Sequence, residues 1–287
     1  MKRTFAAITL MSLLLAACGS ESPSVNGESP SPSASGAPAP TVSTSPSPSP
    51  SPSLSPSPSP SPSPSPVPTE APKAYKMNKN YDMIPIDPAG NKKVVLLTFD
   101  DGPKEKGMID GLINTLDKHK AKAIFFVNGY RIKEHPELLK LIHDRGQVIG
   151  NHSYDHISLR KETNDKVDYQ IGEVQKQVKE VTGTTPVFFR PPFGEGSDYV
   201  REKAKKENLL YMTWSNGSLD WDLPKNSTDK PQAVIDNVMK QLHPGSNILM
   251  HELAWTVETL DNLLTQLEAK GYSFVDPRSI DTQQIPQ

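Results

Sequence analysis

Seven short apolar runs, separated by segments with helical spacing, constrain the fold of this chain more than any other feature. The runs span residues 94–99, 123–127, 147–150, 187–190, 209–214, 247–250 and 272–275. Strands that alternate with helices pair in parallel through right-handed crossovers. The sequence therefore predicts an α/β fold, a distorted (β/α) barrel of about seven parallel strands. A doubly wound open sheet is the alternative.

The clearest helix is predicted at residues 165–182, where Lys and Glu fill one face and Gly183 supplies a stop. Its apolar face carries Val167, Ile171, Val174, Val178 and Val181. A second amphipathic helix ends at Gly271 and presents Leu260, Leu263, Leu264 and Leu267. The run at 123–127 has no polar alternation, which favours a strand covered on both faces.

Composition changes sharply near Lys73. Of the 29 prolines, 17 lie before this residue, and residues 45–66 alternate Ser and Pro with a single break at Leu54. A segment with so few apolar side chains cannot form a core, so residues 18–72 are predicted to be a disordered, polyproline-like linker. At about 3.1 Å per residue this linker could reach about 150 Å. The folded domain is predicted at residues 73–287.

The N-terminal segment resembles a bacterial lipoprotein signal. Met1, Lys2 and Arg3 precede an apolar run at residues 5–15, which is shorter than the roughly 20 residues that a membrane span needs. Small residues then precede Cys18, the single cysteine of the chain, so no internal disulfide is expected. We predict a signal peptide at residues 1–17, a lipid on Cys18 and attachment to the extracytoplasmic face of the cell membrane. An ordinary secretory signal with an incidental cysteine is the alternative.

Chemically active side chains follow the predicted strands. They are Asp100, Asp101, His152, His156, Arg190, Asp220 and His251. In a parallel barrel the C-terminal ends of the strands meet at one rim, so these groups are expected to lie together. The formal net charge is −2 with no dense Lys/Arg tract, so no nucleic acid partner is expected.

The two histidines suggest a metal site. His152 and His156 are four residues apart, and from one helical turn they would aim at a shared point. With one carboxylate they form a set that suits a catalytic divalent metal; zinc fits the ligand types, and cobalt, nickel or iron are alternatives. Asp100 and Asp101 are expected to point apart on an extended strand, so one would bind the metal and the other would be free to act as a base.

The remaining charged groups complete a hydrolytic set. Arg190 would orient the basic aspartate and keep it ionised. His251 would donate a proton to the leaving group. Together with the metal, these residues predict hydrolysis of an amide or an ester.

Five segments resemble, in order, the signature motifs of the polysaccharide deacetylase family, also called the NodB homology family or carbohydrate esterase family 4. They are residues 98–103 (TFDDGP), 152–156 (HSYDH), 190–194 (RPPFG), 219–221 (LDW) and 249–251 (LMH). The resemblance covers residues 93–276. It implies a metal-dependent hydrolase that removes N-acetyl groups from amino sugars of a cell-wall polysaccharide, with peptidoglycan favoured over chitin-like oligomers. An O-acetyl polysaccharide esterase and a non-catalytic glycan-binding protein are the alternatives.

The resemblance also implies a role for each matching residue. Asp100 matches the general base, Arg190 the residue that orients it, and His251 the general acid. The other implied roles are metal binding by Asp101, His152 and His156, tuning of the acid by Asp220, oxyanion binding by the backbone N–H of Phe193, and walls around the acetyl methyl group formed by Leu249 and Trp221.

Some positions depart from the family pattern or are expected to have no chemical role. Gly217 stands where the family often has an additional aspartate, which leaves the range of accepted sugars open. Glu252 replaces a common aspartate after the general acid. Asn128 is a candidate substrate contact, and Tyr154 and Asp155 are expected to shape their loop. The remaining histidines are expected to be solvated: His119, His135, His143 and His243.

Overall fold

The computed structural model describes residues 72–283. The strands are β1 (Tyr75–Met77), β2 (Met83–Pro85), β3 (Val94–Gly102), β4 (Ala123–Val127), β5 (Val148–Asn151), β6 (Phe188–Phe189), β7 (Leu210–Tyr211), β8 (Asn216–Gly217), β9 (Ser246–His251) and β10 (Ser273–Phe274). The α-helices are α1 (Lys106–Lys118), α2 (Gly129–Glu134), α3 (Pro136–Asp144), α4 (Asn164–Thr182), α5 (Asp198–Lys206), α6 (Lys230–Gln241) and α7 (Ala254–Ala269). The predicted signal peptide, lipidated Cys18 and nearly all of the linker lie outside the described residues.

The main sheet is a curled, parallel half-barrel. Its strand order is β7-β6-β5-β4-β3-β9-β8, with β10 paired to the start of β3. Neighbours along the chain are neighbours in space around this path, and the barrel opens between β7 and β8. A doubly wound sheet would reverse its strand order at a switch point instead. The predicted distorted barrel is therefore confirmed, with one more strand than the seven apolar runs because β8 was not predicted.

Alternation along β3 separates two hydrophobic layers. Val94 and Leu96 point into the barrel and pack with Phe126, whereas Val95 and Leu97 point outward against the helices. Following the same period, Thr98 and Asp100 continue the inward face toward the C-terminal end of the strand. The barrel interior thus changes from apolar to polar at this end.

The predicted helices end where their sequence signals indicate. α4 starts one residue before the predicted bound, and the hydroxyl of Thr163 accepts a hydrogen bond from the backbone N–H of Lys166. Gly183 ends α4 in the left-handed conformation, at φ 76°. Gly271 has φ 80° and follows α7. Within residues 72–283, no helix combines the length and apolar character that a membrane crossing requires.

A β1–β2 hairpin, not predicted from the sequence, closes the N-terminal end of the barrel. The backbone N–H of Met83 donates to the carbonyl of Gly245, and Asp82 pairs with His243 at 2.8 Å. Gly245 has φ 86°, and a Cβ there would lie 2.4 Å from the Met83 carbonyl oxygen, so only glycine permits this contact.

The prediction that His119 is solvated is wrong. Its side chain is 6% exposed and lies between Asp261 and Glu268 of α7, at 2.9 and 3.0 Å. It is buried because α1 packs against α7, which covers the end of α1 where His119 lies. The other three histidines predicted to be solvated have substantially exposed side chains: His135, His143 and His243.

Candidate active site

β3 ends in a bulge that brings two carboxylates to one place. Asp100 pairs with His251 of β9, and Asp101 is the extra residue in the pairing with β4. Asp101 has φ 68°, in the left-handed region. As a result, Asp100 Oδ2 and Asp101 Oδ1 each lie 3.5 Å from Nε2 of His152. The expectation that the two side chains point apart is wrong, because it assumed extended backbone at Asp101.

Arg190 lies fully buried inside the barrel and is held by groups from several strands. Its guanidinium donates to Oδ1 of Asp100 at 2.7 Å and to the hydroxyl of Thr98 at 2.8 Å. It also donates to the carbonyl of Thr213 at 2.8 Å and stacks over the ring of Phe126 at 4.3 Å. Burial lowers the pKa of Arg190, and the Asp100 carboxylate opposes that shift. The pair fixes the direction in which Asp100 faces.

The loop after β5 presents His152 and His156 side by side, but not from a helical turn as expected. Ser153 and His156 have φ 68° and 53°, which is incompatible with a right-handed helix. Nδ1 of His152 lies 2.7 Å from the carbonyl oxygen of Arg190, so it donates there and leaves the lone pair of Nε2 facing the aspartates. The two imidazole centroids are 5.0 Å apart.

Asp101, His152 and His156 fit a divalent metal. One ligand atom from each lies within 4.8 Å of the others, a His₂-carboxylate set with room for further ligands. Among residues 72–283, Asp101 Oδ1 is buried without a hydrogen-bond partner, although His156 Nε2 is 3.0 Å away. Burial alone would raise the pKa of Asp101, but the two imidazoles outweigh it and hold that pKa well below its usual range. An ionised carboxylate beside two imidazole nitrogens is the donor chemistry that a metal requires.

His251, which is partly exposed, forms a second pair with the buried Asp220 on the β9 side of β3. Asp220 Oδ1 lies 2.8 Å from Nδ1 of His251, and Oδ2 accepts from the His251 backbone N–H at 2.7 Å. The hydroxyl of Thr256 donates to the same Oδ2. Burial lowers the pKa of His251, but Asp220 reverses this and raises it, with Asp100 and Asp101 adding to the effect. His251 therefore carries its proton to higher pH than a free imidazole.

Aromatic and aliphatic side chains surround these polar groups. The Phe193 ring is 61% exposed and lies 4.8 Å from the imidazole of His156. Trp221 is half-exposed and lies 5.0 Å from the His251 ring, whereas Leu249 is buried in β9. Phe193 has φ 59°, so its backbone turns sharply at the rim. All three residues predicted around the acetyl group thus lie at or beside the same end of the barrel.

Gly217, which stands where the family often has an additional aspartate, lies next to this rim. A Cβ at position 217 would meet Trp214, Leu219 and Trp221 at 3.7 Å, which is ordinary contact distance. A Cβ at this buried position would therefore fit in ordinary contact with the two tryptophans, and its absence leaves no packing defect. Trp214 was not singled out from the sequence, although its indole packs 6.3 Å from that of Trp221.

The sequence also did not predict several supporting residues. Glu252 is buried and accepts hydrogen bonds from the backbone N–H groups of Lys104 and Glu105, which fix the loop after the aspartates. The expectation that Asn128 contacts substrate is wrong, because its side chain is fully buried and donates to the carbonyl of His152, where it supports the histidine loop. Thr98 lies two residues before Asp100 and therefore on the same face of β3, so strand alternation could have identified it as a supporting residue. No comparable sequence pattern predicts the role of Glu252.

Asp155 shapes the histidine loop, as expected. Its carboxylate accepts hydrogen bonds from Lys166 and Gln170 of α4. Tyr154 packs beside Gly129, where a Cβ would lie 2.1 Å from the ring. These contacts attach the loop to two helices and account for the fixed positions of the imidazoles between them.

Comparisons with known proteins identify a family and related chains. The family model described as polysaccharide deacetylase matches residues 87–212. A curated relative, the peptidoglycan-N-acetylmuramic acid deacetylase of Bacillus subtilis, is 34% identical over 192 residues, covering 66% of this chain and 71% of its own.

Two solved structures are similar in fold and in sequence. A peptidoglycan N-acetylglucosamine deacetylase superposes with a TM-score of 0.61 at 32% identity, over 69% of this chain and 92% of that chain. A pseudoenzyme from Bacillus anthracis, assigned to carbohydrate esterase family 4, superposes with a TM-score of 0.60 at 31% identity, over 64% and 63% of the two chains. Active and inactive proteins thus share this fold, so activity has to be argued from the site residues.

Proposed function

This chain belongs to the polysaccharide deacetylase family, and from that membership we propose that it hydrolyses the N-acetyl groups of amino sugars in a cell-wall glycan, with peptidoglycan as the favoured substrate. One observation carries the proposal. Asp100 lies between the candidate metal ligands and, on the neighbouring strand, the His251–Asp220 pair. A base and an acid on opposite sides of one point are what amide hydrolysis requires.

In the proposed reaction, Asp100 removes a proton from the attacking water. Arg190 holds the carboxylate in position through the 2.7 Å hydrogen bond to Oδ1, which leaves Oδ2 facing the reaction centre. His251 then donates its proton to the departing amine, because Asp220 accepts from Nδ1 and leaves Nε2 as the exposed nitrogen. Each proton thus has a defined donor or acceptor.

The rim residues would hold the acyl group. We assign the backbone N–H of Phe193 to the developing oxyanion, since the loop after Arg190 brings that residue beside His156. Trp221 and Leu249 would receive the acetyl methyl group, because both flank His251 on the apolar side of the site. These assignments follow the match to the family motifs together with the observed positions.

Asp101, His152 and His156 would hold the metal, and we propose zinc from the ligand types, with cobalt or nickel as alternatives. When bound, a divalent cation polarises the substrate carbonyl and lowers the pKa of water. The residues of this chain then position the substrate and move the protons.

The sequence supports a location next to the proposed substrate. We propose that lipid on Cys18 anchors the chain to the extracytoplasmic face of the membrane and that the Ser/Pro-rich linker extends the catalytic domain toward the wall. A reach of about 150 Å would place the site among glycan strands rather than at the lipid surface.

The test is acetate release by the full-length chain, purified in detergent, from peptidoglycan, chitin oligomers and acetylated xylan. We expect release from peptidoglycan, its loss with a chelator and its loss in His156→Ala. The matched control, His135→Ala, changes a half-exposed histidine whose side chain pairs with Glu137 and is not among the proposed site residues, so it should retain activity. Release from acetylated xylan alone would establish the esterase instead, and no release from any substrate would favour a glycan-binding protein.

A further inference from the structure

A cavity lies beside β7, and its lining is separate from the candidate active site. Its volume is about 670 Å³, within the range of small-ligand sites. The turn between β1 and β2 contributes Lys79 and Tyr81, α5 contributes Arg201 and Lys205, and β7 contributes Tyr211. None of the residues that line it belongs to the proposed catalytic set.

Arg201 is held against an aromatic ring in this cavity. Its guanidinium lies 4.0 Å from the ring centroid of Tyr211. The Tyr211 ring is itself fixed, because a Cβ at Gly196 would lie 2.6 Å from the tyrosine oxygen. Stacking of this kind orients the planar N–H groups of arginine before a ligand arrives. The arrangement therefore presents a preorganised hydrogen-bond donor.

The hydroxyl of Tyr211 is a second donor without a partner. Its oxygen is buried and makes no hydrogen bond within residues 72–283. Burial raises the pKa of Tyr211 to about 12, so the hydroxyl keeps its proton at physiological pH. A buried hydroxyl without a partner carries a desolvation penalty that an acceptor oxygen from a ligand would remove.

The cations of the cavity are only partly compensated by neighbouring side chains, since Tyr81 and Asp198 interact electrostatically with Arg201. Arg201, Lys205 and Lys79 have no carboxylate within 4.0 Å among the described residues. The acidic side chain in the lining, Glu202, is already paired with Lys206 at 2.9 Å. The cavity thus has an excess of positive charge, contributed from two separate elements.

We propose that this cavity binds the phosphate group of a sugar phosphate or polyol phosphate unit in an anionic polymer. A phosphate presents acceptor oxygens in several directions, which suits cations that approach from a hairpin turn and from a helix. A carboxylate presents two oxygens in one plane and would suit a single arginine. The volume greatly exceeds that of a bare anion, so the attached sugar or polyol also enters. The site would hold the domain on a wall polymer, independently of the deacetylase reaction.

The proposal is tested by calorimetric titration of the full-length chain with glucose 1-phosphate. We expect saturable binding that weakens about 10- to 100-fold in Arg201→Gln, as for the loss of a charged hydrogen bond. Lys205→Gln, which leaves the stacked pair intact, should also weaken binding, and Tyr211→Phe should weaken it about 3- to 10-fold. The matched control is Lys203→Gln, which removes the same charge from the same helix outside the cavity and leaves Glu202 paired with Lys206, so it should change affinity less than about twofold.

Three results would contradict the proposed phosphate site. These are no saturable binding, equal weakening by Lys203→Gln and Arg201→Gln, or glucuronate bound as tightly as glucose 1-phosphate. Acetate release from peptidoglycan, measured on the same variants, should be unchanged. Failure of this site and failure of the deacetylase proposal are therefore distinguishable.

Discussion

At the scale of single residues, the buried Arg190–Asp100 pair makes the most direct stability prediction. Removing one partner leaves the other charge buried and unpaired, so Arg190→Met should cost about 3–5 kcal/mol in denaturant unfolding. In an Asp100→Asn background the same change should cost less, because the two residues share one interaction. Arg278→Met, which breaks a partly exposed pair with Asp276, is the control and should cost less than about 1 kcal/mol. Equal costs at the two arginines would show that the Arg190–Asp100 pair is worth no more than an exposed ion pair.

The His251–Asp220 pair predicts a change in pH dependence. A general acid must be protonated, so activity is lost as pH rises through its pKa. Asp220 raises the pKa of His251 against the effect of burial, so Asp220→Asn should move the alkaline limb of the rate profile to lower pH. The rate profile of acetate release measures this, and an unmoved alkaline limb would show that His251 is not the acid.

A comparison of two substrates tests the role of His251 as the general acid. His251→Ala should slow hydrolysis of an amide more than that of an activated ester, because a good leaving group departs without a proton. The ratio of the two rates, compared with the unchanged protein, measures the effect. A similar loss on both substrates would indicate that His251 only shapes the site.

At the scale of elements, Glu252 links the end of β9 to the loop between β3 and α1. Burial raises the pKa of Glu252 to about 7, although backbone N–H groups of Glu105 and Lys104 favour the ionised form. The folded protein therefore holds this proton more tightly than the unfolded chain. Stability from this group is complete below its ordinary pKa of 4.5 and falls, by up to about 3 kcal/mol, as pH rises to about 7.

Glu252→Gln should remove that slope, because an amide does not titrate. Denaturant unfolding measured from pH 4.5 to 7.5 would show it as a flatter stability profile. Glu258→Gln on α7 is the control, since its side chain is exposed and should leave the slope intact. An equal change in both variants would assign the effect to net charge.

The elements differ in how far the sequence predicts them. The strand at 123–127 and the helix near 165–182 follow directly from hydrophobic period and end signals. β8 does not, because Asn216 and Gly217 are poor strand formers and pair only through their register with Ile248 and Leu249 of β9. The bulge at Asp101 was not predicted either, because the alternation of a regular strand places adjacent side chains on opposite faces.

The sequence predicted only part of the candidate active site, because it indicates local patterns and not tertiary contacts. Motif order identified the acids, bases and candidate ligands, because each follows an apolar run. The supporting contacts were not predictable in this way: Asn128 reaches the carbonyl of His152 across two loops, and Glu252 reaches two backbone N–H groups about 150 residues earlier in the sequence. Such contacts depend on tertiary geometry that no local pattern encodes.

At the scale of the whole molecule, the proposed anchor and the catalytic domain should be separable. Cys18→Ser should abolish lipid attachment, because the thiol is the proposed acceptor. Acetate release should be unaffected, since residues 72–283 contain the complete candidate site. Mass spectrometry of protein isolated from cells measures the lipid, and a lipid retained on the variant would rule out Cys18 as the attachment point.

The two adjacent aspartates are expected to have different roles, Asp100 as the general base and Asp101 as a metal ligand. Asp101→Asn should lose metal, because a neutral amide poorly replaces an anionic ligand. Asp100→Asn should retain metal and fold but lose acetate release by about 10²–10⁴, because an amide cannot accept the proton of the attacking water. The deciding measurement is metal content by elemental analysis, taken with acetate release, for the two variants side by side. Metal retained in Asp100→Asn and lost in Asp101→Asn is the predicted result; the reverse would contradict the mechanism at its first step.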